Sequence, residues 1–414
     1  MSKKNIWILN YQIDDIQSVS NISNNLVALY EGLPQMFYNV LILELQDMEK
    51  VSSTSWNHRD WLVRFKETPP HHVIIVHPHV INHIFLSAIM NAQTKFTTQF
   101  IFHVFGNFTR HGATWFKLNH LMINKNIQFV AASRCYLELL KNFVAEKNLS
   151  ILPFPISVPD KDNMLACLPQ TLDVLNVLYT GRYHEQKNVT SLLEALGEIS
   201  AEIDKKIHIT LVVYFDDFNP TTLNTQKQLG EQYNLFSNML NGLHERITVT
   251  LVPHTDVKHL YKLYSENDVF MSFSTFLDED YGCSVIESLS CGTPCIVSKW
   301  GGYKDFCTEF PDDCFGADII LEQDGFYIDL SKLAHFIKLI SQRTLLQRNK
   351  LPQDALAVVG NKKLLDSAMI ILSKTFNFSG FDLSLSNFSR DLKTGHGRDT
   401  FEGFKRIYKS FWEI

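Results

Sequence analysis

The chain has 414 residues, more than one ordinary core organises, so two domains of roughly 150–250 residues are expected. Hydrophobic residues at 45% and charged residues at 20% exclude a disordered or fibrous chain. A net charge of −6 argues against a nucleic-acid binder, which would carry a basic excess, and no stretch nears the 18 or so apolar residues of a membrane span.

The N-terminus, MSKKNIWILNYQIDD, starts basic, but Asn10, Gln12 and two aspartates cut its apolar run short, so it reads as a first strand rather than a signal peptide. A helical pattern around 25–30 follows, then apolar runs at 40–45 (VLILEL), 72–76 (HVIIV), 99–105 (QFIFHVF) and 127–133 (IQFVAAS). Continuous apolar runs, as opposed to alternating ones, belong to parallel sheets covered on both faces. Residues 152–173 hold four of the chain's 13 prolines and little periodicity, which marks a linker. Alternation then resumes with strands at 174–181, 207–215, 247–253, 268–274 and 294–298, and helices at 189–199 and near 257–265. The pattern predicts an α/β protein of two doubly wound domains. Seven cysteines, at 135, 167, 283, 291, 295, 307 and 314, form no CxxC pair and no zinc-ligand spacing. Free thiols and a cytoplasmic location are expected, with no bound metal.

In such sheets ligands bind beyond the carboxyl ends of the strands, so residues just after them are candidates. TGRYHEQKN (180–188) sits between a strand and a helix. Arg182 and Lys187 there, with the helix N-terminus, suit a diphosphate, although a solvated charged loop would read the same way. EDYGCSVIESLSCGTP (279–294) also follows a strand. A helix starting near Gly282 would put Val285, Ile286 and Leu289 on one apolar face and Glu287 opposite, among Cys283, Ser284, Ser290 and Cys291. Small residues around a lone carboxylate suit close approach of a ligand; an ordinary surface glutamate and a capping Glu279 are the plainer alternatives. His103 and the HPH run at 77–79 end predicted strands, where histidine is either structural or polarises a substrate.

Taken together, GRYHEQKN, the E-x7-E segment some 90 residues on, and GGYKDF (301–306) resemble the retaining glycosyltransferases of the glycogen-synthase-like family four (glycosyl transferases group 1). SENDVFMSFS (265–274), DGFYIDLSKLAHFIKLI (324–340), FIFHVFG (100–106) and VAASRCYLELL (130–140) agree with it. The likeness is specific from about 174 to 340 and implies a GT-B fold of two Rossmann-like domains facing across a cleft. Expected boundaries are 1–158 for the acceptor-side domain, 159–385 for the nucleotide-sugar domain, and 386–414 for a C-terminal helical segment returning to the first domain.

The resemblance implies transfer of a sugar from a UDP- or GDP-sugar to a hydroxyl acceptor (glycan, lipid or protein), without a cofactor or metal. It places Arg182, Lys187, Gly282, Cys283 and Ser284 at the donor diphosphate and Glu279 and His103 at the reacting sugar. It sets Glu287 at the ribose, with Pro253 and His254 near the base. Three features depart from the family. Ser18–Val19–Ser20–Asn21–Ile22–Ser23 stands where a Gly-Gly loop is usual, Phe154–Pro155 where Asn-Gly is, and Asp305 where Glu is. A non-catalytic binding or scaffold subunit, or a sugar-nucleotide epimerase or phosphorylase of the same fold, are the alternative readings. The C-terminal Phe401, Phe404, Tyr408 and Phe411 lie at helical spacing, as a packing helix or a peripheral membrane contact would.

Overall fold

The computed structural model describes residues 3–11, 17–45, 58–76, 83–92, 98–106, 108–109, 112–157, 173–183, 185–203, 205–215, 245–252, 256–275, 279–322, 326–375, 377–382, 387–388 and 403–413. They form two units, Met1–Ser157 with Val359–Ile414, and Val158–Val358.

The first unit runs β1 (Lys4–Tyr11), α1 (Gln17–Glu31), β2 (Tyr38–Leu45), α2 (His58–Glu67), β3 (His72–Ile75), α3 (His83–Ala92), β4 (Gln99–Val104), α4 (Gly112–Met122), β5 (Asn126–Ala131), α5 (Arg134–Lys141) and β6 (Leu149–Ile151). Its strands are all parallel, in the order β2-β1-β3-β4-β5-β6. Every residue of β3 and β4 is buried, as expected for strands covered on both faces. Ser18–Ser23, expected in the first βα loop, lies inside α1. Ile22, Leu26, Leu29 and Tyr30 recur at three- and four-residue spacing, and burying that stripe extends the helix over the serines.

The second unit runs β7 (Val174–Tyr183), α6 (Val189–Ile199), β8 (Lys206–Phe215), β9 (Ile247–Val252), α7 (Val257–Glu266), β10 (Val269–Ser272), α8 (Cys283–Ser290), β11 (Cys295–Ser298), α9 (Tyr303–Glu309), β12 (Cys314–Leu321), β13 (Phe326–Asp329), α10 (Leu333–Ser341) and α11 (Leu345–Val359). Its sheet order is β13-β12-β11-β10-β7-β8-β9, parallel except for the antiparallel β12–β13 hairpin. The core packs Leu192, Leu193 and Leu196 of α6 and Ile337 of α10 against Val177, Ile209, Met271 and Ile296 of the sheet. Each such side chain contributes about 1.5–3 kcal/mol by leaving water. Strand order reverses between β7 and β10, so the loops after those two strands flank the switch-point crevice.

The chain rejoins the first unit at Val359, earlier than the expected 386. The reason is α12 (Asn361–Ser373) and the segment after it. Gln99 Nε2 donates to the Ile371 carbonyl (3.2 Å), and the Phe378 amide to Lys125 O (2.9 Å). Phe378 and Phe381 join Phe129, Trp115 and Phe108 in one aromatic cluster, with Phe378 and Phe381 5.0 Å apart. The terminal Ile407, Tyr408 and Phe411 are buried, and Tyr408 Oη lies 2.6 Å from Thr109 Oγ1. Those residues therefore serve packing rather than a membrane face. No described helix is long and apolar enough to cross a membrane.

Candidate functional site

The loop after β7 is held by its own polar residues. Glu185–Lys187 form a short 3-10 turn, and Asn188 takes the left-handed conformation (φ 51°) that caps α6. Asparagine tolerates that region better than most residues. Its Nδ2 donates to the Phe273 carbonyl (2.8 Å) and Thr275 Oγ1 (3.0 Å), and the Thr275 amide donates to Gln186 O (2.8 Å). The loops after β7 and β10 are thus tied together across the switch point.

That tie brings Lys187 against Glu279. Their ammonium and carboxylate form a direct ion pair, with side chains only 15% and 10% exposed. The half-buried Arg182 belongs to the same neighbourhood: Tyr179 lies within the fields of both Glu279 and Arg182, and its hydroxyl donates to Arg182 O (3.1 Å). Burial, then Glu279, pushes the Tyr179 phenol well above its usual range.

Glu279 is placed by the glycine pair after β11. The Gly302 amide donates to Glu279 O (2.8 Å), and a Cβ at Gly302 would stand 2.4 Å from the Tyr281 backbone. Gly282, at φ 93°, caps α8, where a Cβ would meet the Tyr303 ring at 2.5 Å. Only glycine fits either position without strain. Tyr303 is held in turn by Ser272 Oγ (3.0 Å) and by Ser284. The first amides of α8 belong to Cys283 and Ser284, both half-buried. The Cys283 thiol is raised well above its ordinary value by burial and then by Glu287, Asp280 and Glu279, so it stays protonated.

Val285, Ile286 and Leu289 form the buried face of α8, and Glu287 is half-buried on another. Glu287 Oε2 accepts from Tyr264 Oη (3.3 Å), which also meets Thr180 Oγ1 (3.0 Å). Burial raises the Glu287 carboxyl from 4.5 to about 7, opposed by the Tyr264 hydrogen bond. Arg182, Lys187, Gly282, Cys283, Ser284, Glu279 and Glu287 therefore all lie in the second unit, Arg182 at the end of β7 and the others on the loops and helix that follow β7 and β10.

His103 lies in the first unit and is 1% exposed, its Nε2 2.7 Å from Tyr30 Oη. Burial lowers its pKa to about 3, so the imidazole is neutral. Pro253, His254 and residues 77–79 lie outside the described residues. Tyr264 and Tyr303 were not singled out from the sequence, and Thr180 and Asn188 were included only as part of the 180–188 segment. Only Asn188, between a cation and a helix, carried a local signal.

Two doubly wound units, each built on its own largely parallel sheet, have the GT-B fold. Residues 169–312, within the second unit, match the family model described as glycosyl transferases group 1. Probable sucrose-phosphate synthase 5 of Oryza sativa subsp. japonica is 30% identical over 137 residues, 31% of this chain but 12% of that protein. Probable sucrose-phosphate synthase 3 of Arabidopsis thaliana is 27% identical over 136 residues, again 12% of its length. The match thus covers a small part of these curated relatives. Among solved structures, a glycosyltransferase from Rickettsia africae has a TM-score of 0.59 at 14% identity, over 90% of this chain and 98% of that one. HepE of Anabaena, solved with UDP and glucose, has a TM-score of 0.54 at 13% identity, over 89% and 99%. At these identities the likeness is one of fold.

Proposed function

We propose that the protein is a glycosyltransferase that moves a sugar from a UDP- or GDP-sugar to a hydroxyl acceptor, with retention at the anomeric carbon. The observation that carries this is the convergence of Lys187, Glu279, Arg182 and the α8 N-terminus at the switch point of a group 1 domain. In such a transfer the sugar passes through an oxocarbenium-like state while a nucleoside diphosphate leaves. Charge on the departing diphosphate is met by Arg182, Lys187 and the amides of Cys283 and Ser284. Those groups can carry the leaving-group charge, so the reading calls for no metal. The Lys187 ammonium has three N–H donors and can serve Glu279 and a phosphate oxygen together. Glu279, oriented by that pair, faces the sugar, and Glu287 takes the ribose hydroxyls. Gly282 supplies the left-handed turn from which α8 and its first amides start. His103, neutral through burial, acts at most as a hydrogen-bonding group and not as an acid or base. Free thiols at all six described cysteines suit a cytoplasmic setting.

The test is a panel of UDP- and GDP-sugars scored by thermal shift, then by nucleoside diphosphate release with and without acceptors. Acceptor-dependent release is expected, with the product's anomeric configuration, read by NMR, matching the donor's. Lys187→Ala and Glu279→Ala should each lose about a hundredfold in transfer, on the scale of about 3 kcal/mol for a lost transition-state donor. Near-normal transfer by both folded variants would overturn the assignment. A donor-binding subunit without turnover is the second reading, favoured by α1 occupying 18–23 where a glycine loop was expected. Binding without release under any acceptor would establish it.

A further inference from the structure

Glu287 is not simply a carboxylate beside a pocket, because a chain of two hydroxyls runs into it from two other elements. Tyr264, on α7, is fully buried, and its backbone carbonyl accepts from Thr293 Oγ1 at the turn between α8 and β11. Its hydroxyl lies 3.3 Å from Glu287 Oε2 and 3.0 Å from Thr180 Oγ1 on β7. A phenol has one proton. If it is given to the carboxylate, the Thr180 hydroxyl must donate to the tyrosine oxygen, and the chain runs Thr180 to Tyr264 to Glu287. Thr180 immediately precedes Gly181 and Arg182, so the same strand end that carries the proposed diphosphate cation also anchors the carboxylate.

We infer that Tyr264, oriented by Thr180, is the positioning residue that presents Glu287 to the ribose hydroxyls of a nucleoside diphosphate donor. The inference rests on the proposed reading of Glu287 as the ribose contact. Tyr264 engages one carboxylate oxygen and turns the group so that the other can accept from a vicinal diol. Two further properties follow. First, the carboxylate is the form that accepts from two hydroxyls, so Tyr264 also favours the binding-competent form. Second, among the described residues Tyr264 is the side chain that donates a hydrogen bond to Glu287, with other titratable groups packed around the pair. Tyr261 comes from the same helix α7, Cys283 from the start of α8, and Cys291 from its C-terminal cap, with Cys295 of β11 behind Tyr264. Burial holds both tyrosines and Cys283 protonated.

The experiment follows Glu287 by carboxyl-carbon NMR of glutamate-labelled protein, assigned with Glu287→Gln, in wild type, Tyr264→Phe and Thr180→Val. Tyr264→Phe keeps the buried ring, and Thr180→Val gives a second, isosteric break in the chain. In the free protein the Glu287 midpoint should rise by about one pH unit in Tyr264→Phe, the equivalent of one hydrogen bond to a charged group. It should rise by less in Thr180→Val, where Tyr264 still donates. Calorimetry with UDP and GDP at pH 7 should show about a tenfold weaker Kd in Tyr264→Phe, recovered as pH is raised. The 2′,3′-dideoxy nucleotide, which offers no diol, should bind both proteins alike. In turnover the loss should fall on KM and leave kcat nearly unchanged. An unmoved Glu287 midpoint with nucleotide still bound, or equal losses on UDP and its dideoxy form, would overturn the inference alone. Absence of any nucleoside diphosphate binding to wild type would overturn the donor reading and this inference together.

Discussion

Replacing Lys187 by methionine removes the ammonium from a pair whose side chains keep only 15% and 10% of their exposure. Breaking a buried ion pair from one side costs about 3–5 kcal/mol, chiefly because the remaining charge is left without its partner. Here both groups retain some water, which lowers the expected loss to about 2–3 kcal/mol for Lys187→Met. Glu279→Gln should cost less, about 1–2 kcal/mol, because a lysine stem can extend its charge toward solvent. The double variant should be about as stable as Lys187→Met alone, a coupling of about 1–2 kcal/mol. The two units can unfold separately, so the readout must belong to the second. Trp300 is the one tryptophan between residues 158 and 358, and 19F NMR of fluorotryptophan-labelled protein in urea follows it by itself. The cycle is measured without donor, so it isolates the role of the pair in shaping the free site from its role in transfer. Single losses that add to within about 0.5 kcal/mol would show that the pair is not coupled, and the structural argument for Glu279's orientation would fall.

Gly282→Ala should destabilise the second unit by about 2–3 kcal/mol and abolish donor binding, since its φ of 93° and the Tyr303 ring at 2.5 Å both oppose a Cβ. Gly197→Ala is the control: with nothing within 4 Å in the last turn of α6, it should stabilise the unit by up to about 1 kcal/mol through helix propensity, read by urea unfolding. Glu287→Gln should stabilise the unit above pH 7. The folded carboxyl, near 7, lies above its unfolded 4.5, so its contribution is full below pH 4.5 and lost as pH rises through 7. The shift corresponds to about 3 kcal/mol at most, and residual solvent contact reduces it to about 1–2 kcal/mol. A wild-type-minus-variant difference that is flat between pH 4 and 8.5 in denaturant titrations would contradict this. Arg348→Met should cost about 3–5 kcal/mol, because Arg348 Nη2 donates to Asn267 O (2.7 Å) and its Nη1 is 3.8 Å from the buried Asp268. Arg348→Met with Asp268→Asn should recover part of that loss by equilibrium unfolding.

Elements of this protein were legible wherever a signal was local. The continuous runs at 72–76 and 99–105 correspond to β3 and β4, and the stripe at 189–199 is α6, because period and burial are written in neighbouring residues. The apolar face of α8 was readable the same way, whereas the Tyr303 ring that excludes a Cβ at Gly282 comes from 21 residues further along the chain. Reading failed where two signals competed. Serines at 18–23 resemble a loop by composition, yet the stripe from Ile22 to Tyr30 draws them into α1. The run from Leu345 onward reads as one domain's tail, but α12 and the phenylalanines after it find their partners in the first unit's aromatic cluster.

At the site itself, the residue types and their order were determined by the sequence: two cations before one helix, two acids spaced around the start of another. Their pairing was not. That Lys187 closes on Glu279, that Tyr264 reaches Glu287 from α7, and that His103 turns to Tyr30 are contacts over 92, 23 and 73 residues of chain. A side chain's partner across such distances is set by strand order and helix packing, which no local period encodes. Ionisation follows the same rule. Burial raises the Glu287 carboxyl to about 7, opposed by the Tyr264 hydrogen bond, and neither the burial nor the tyrosine is written in the residues beside it.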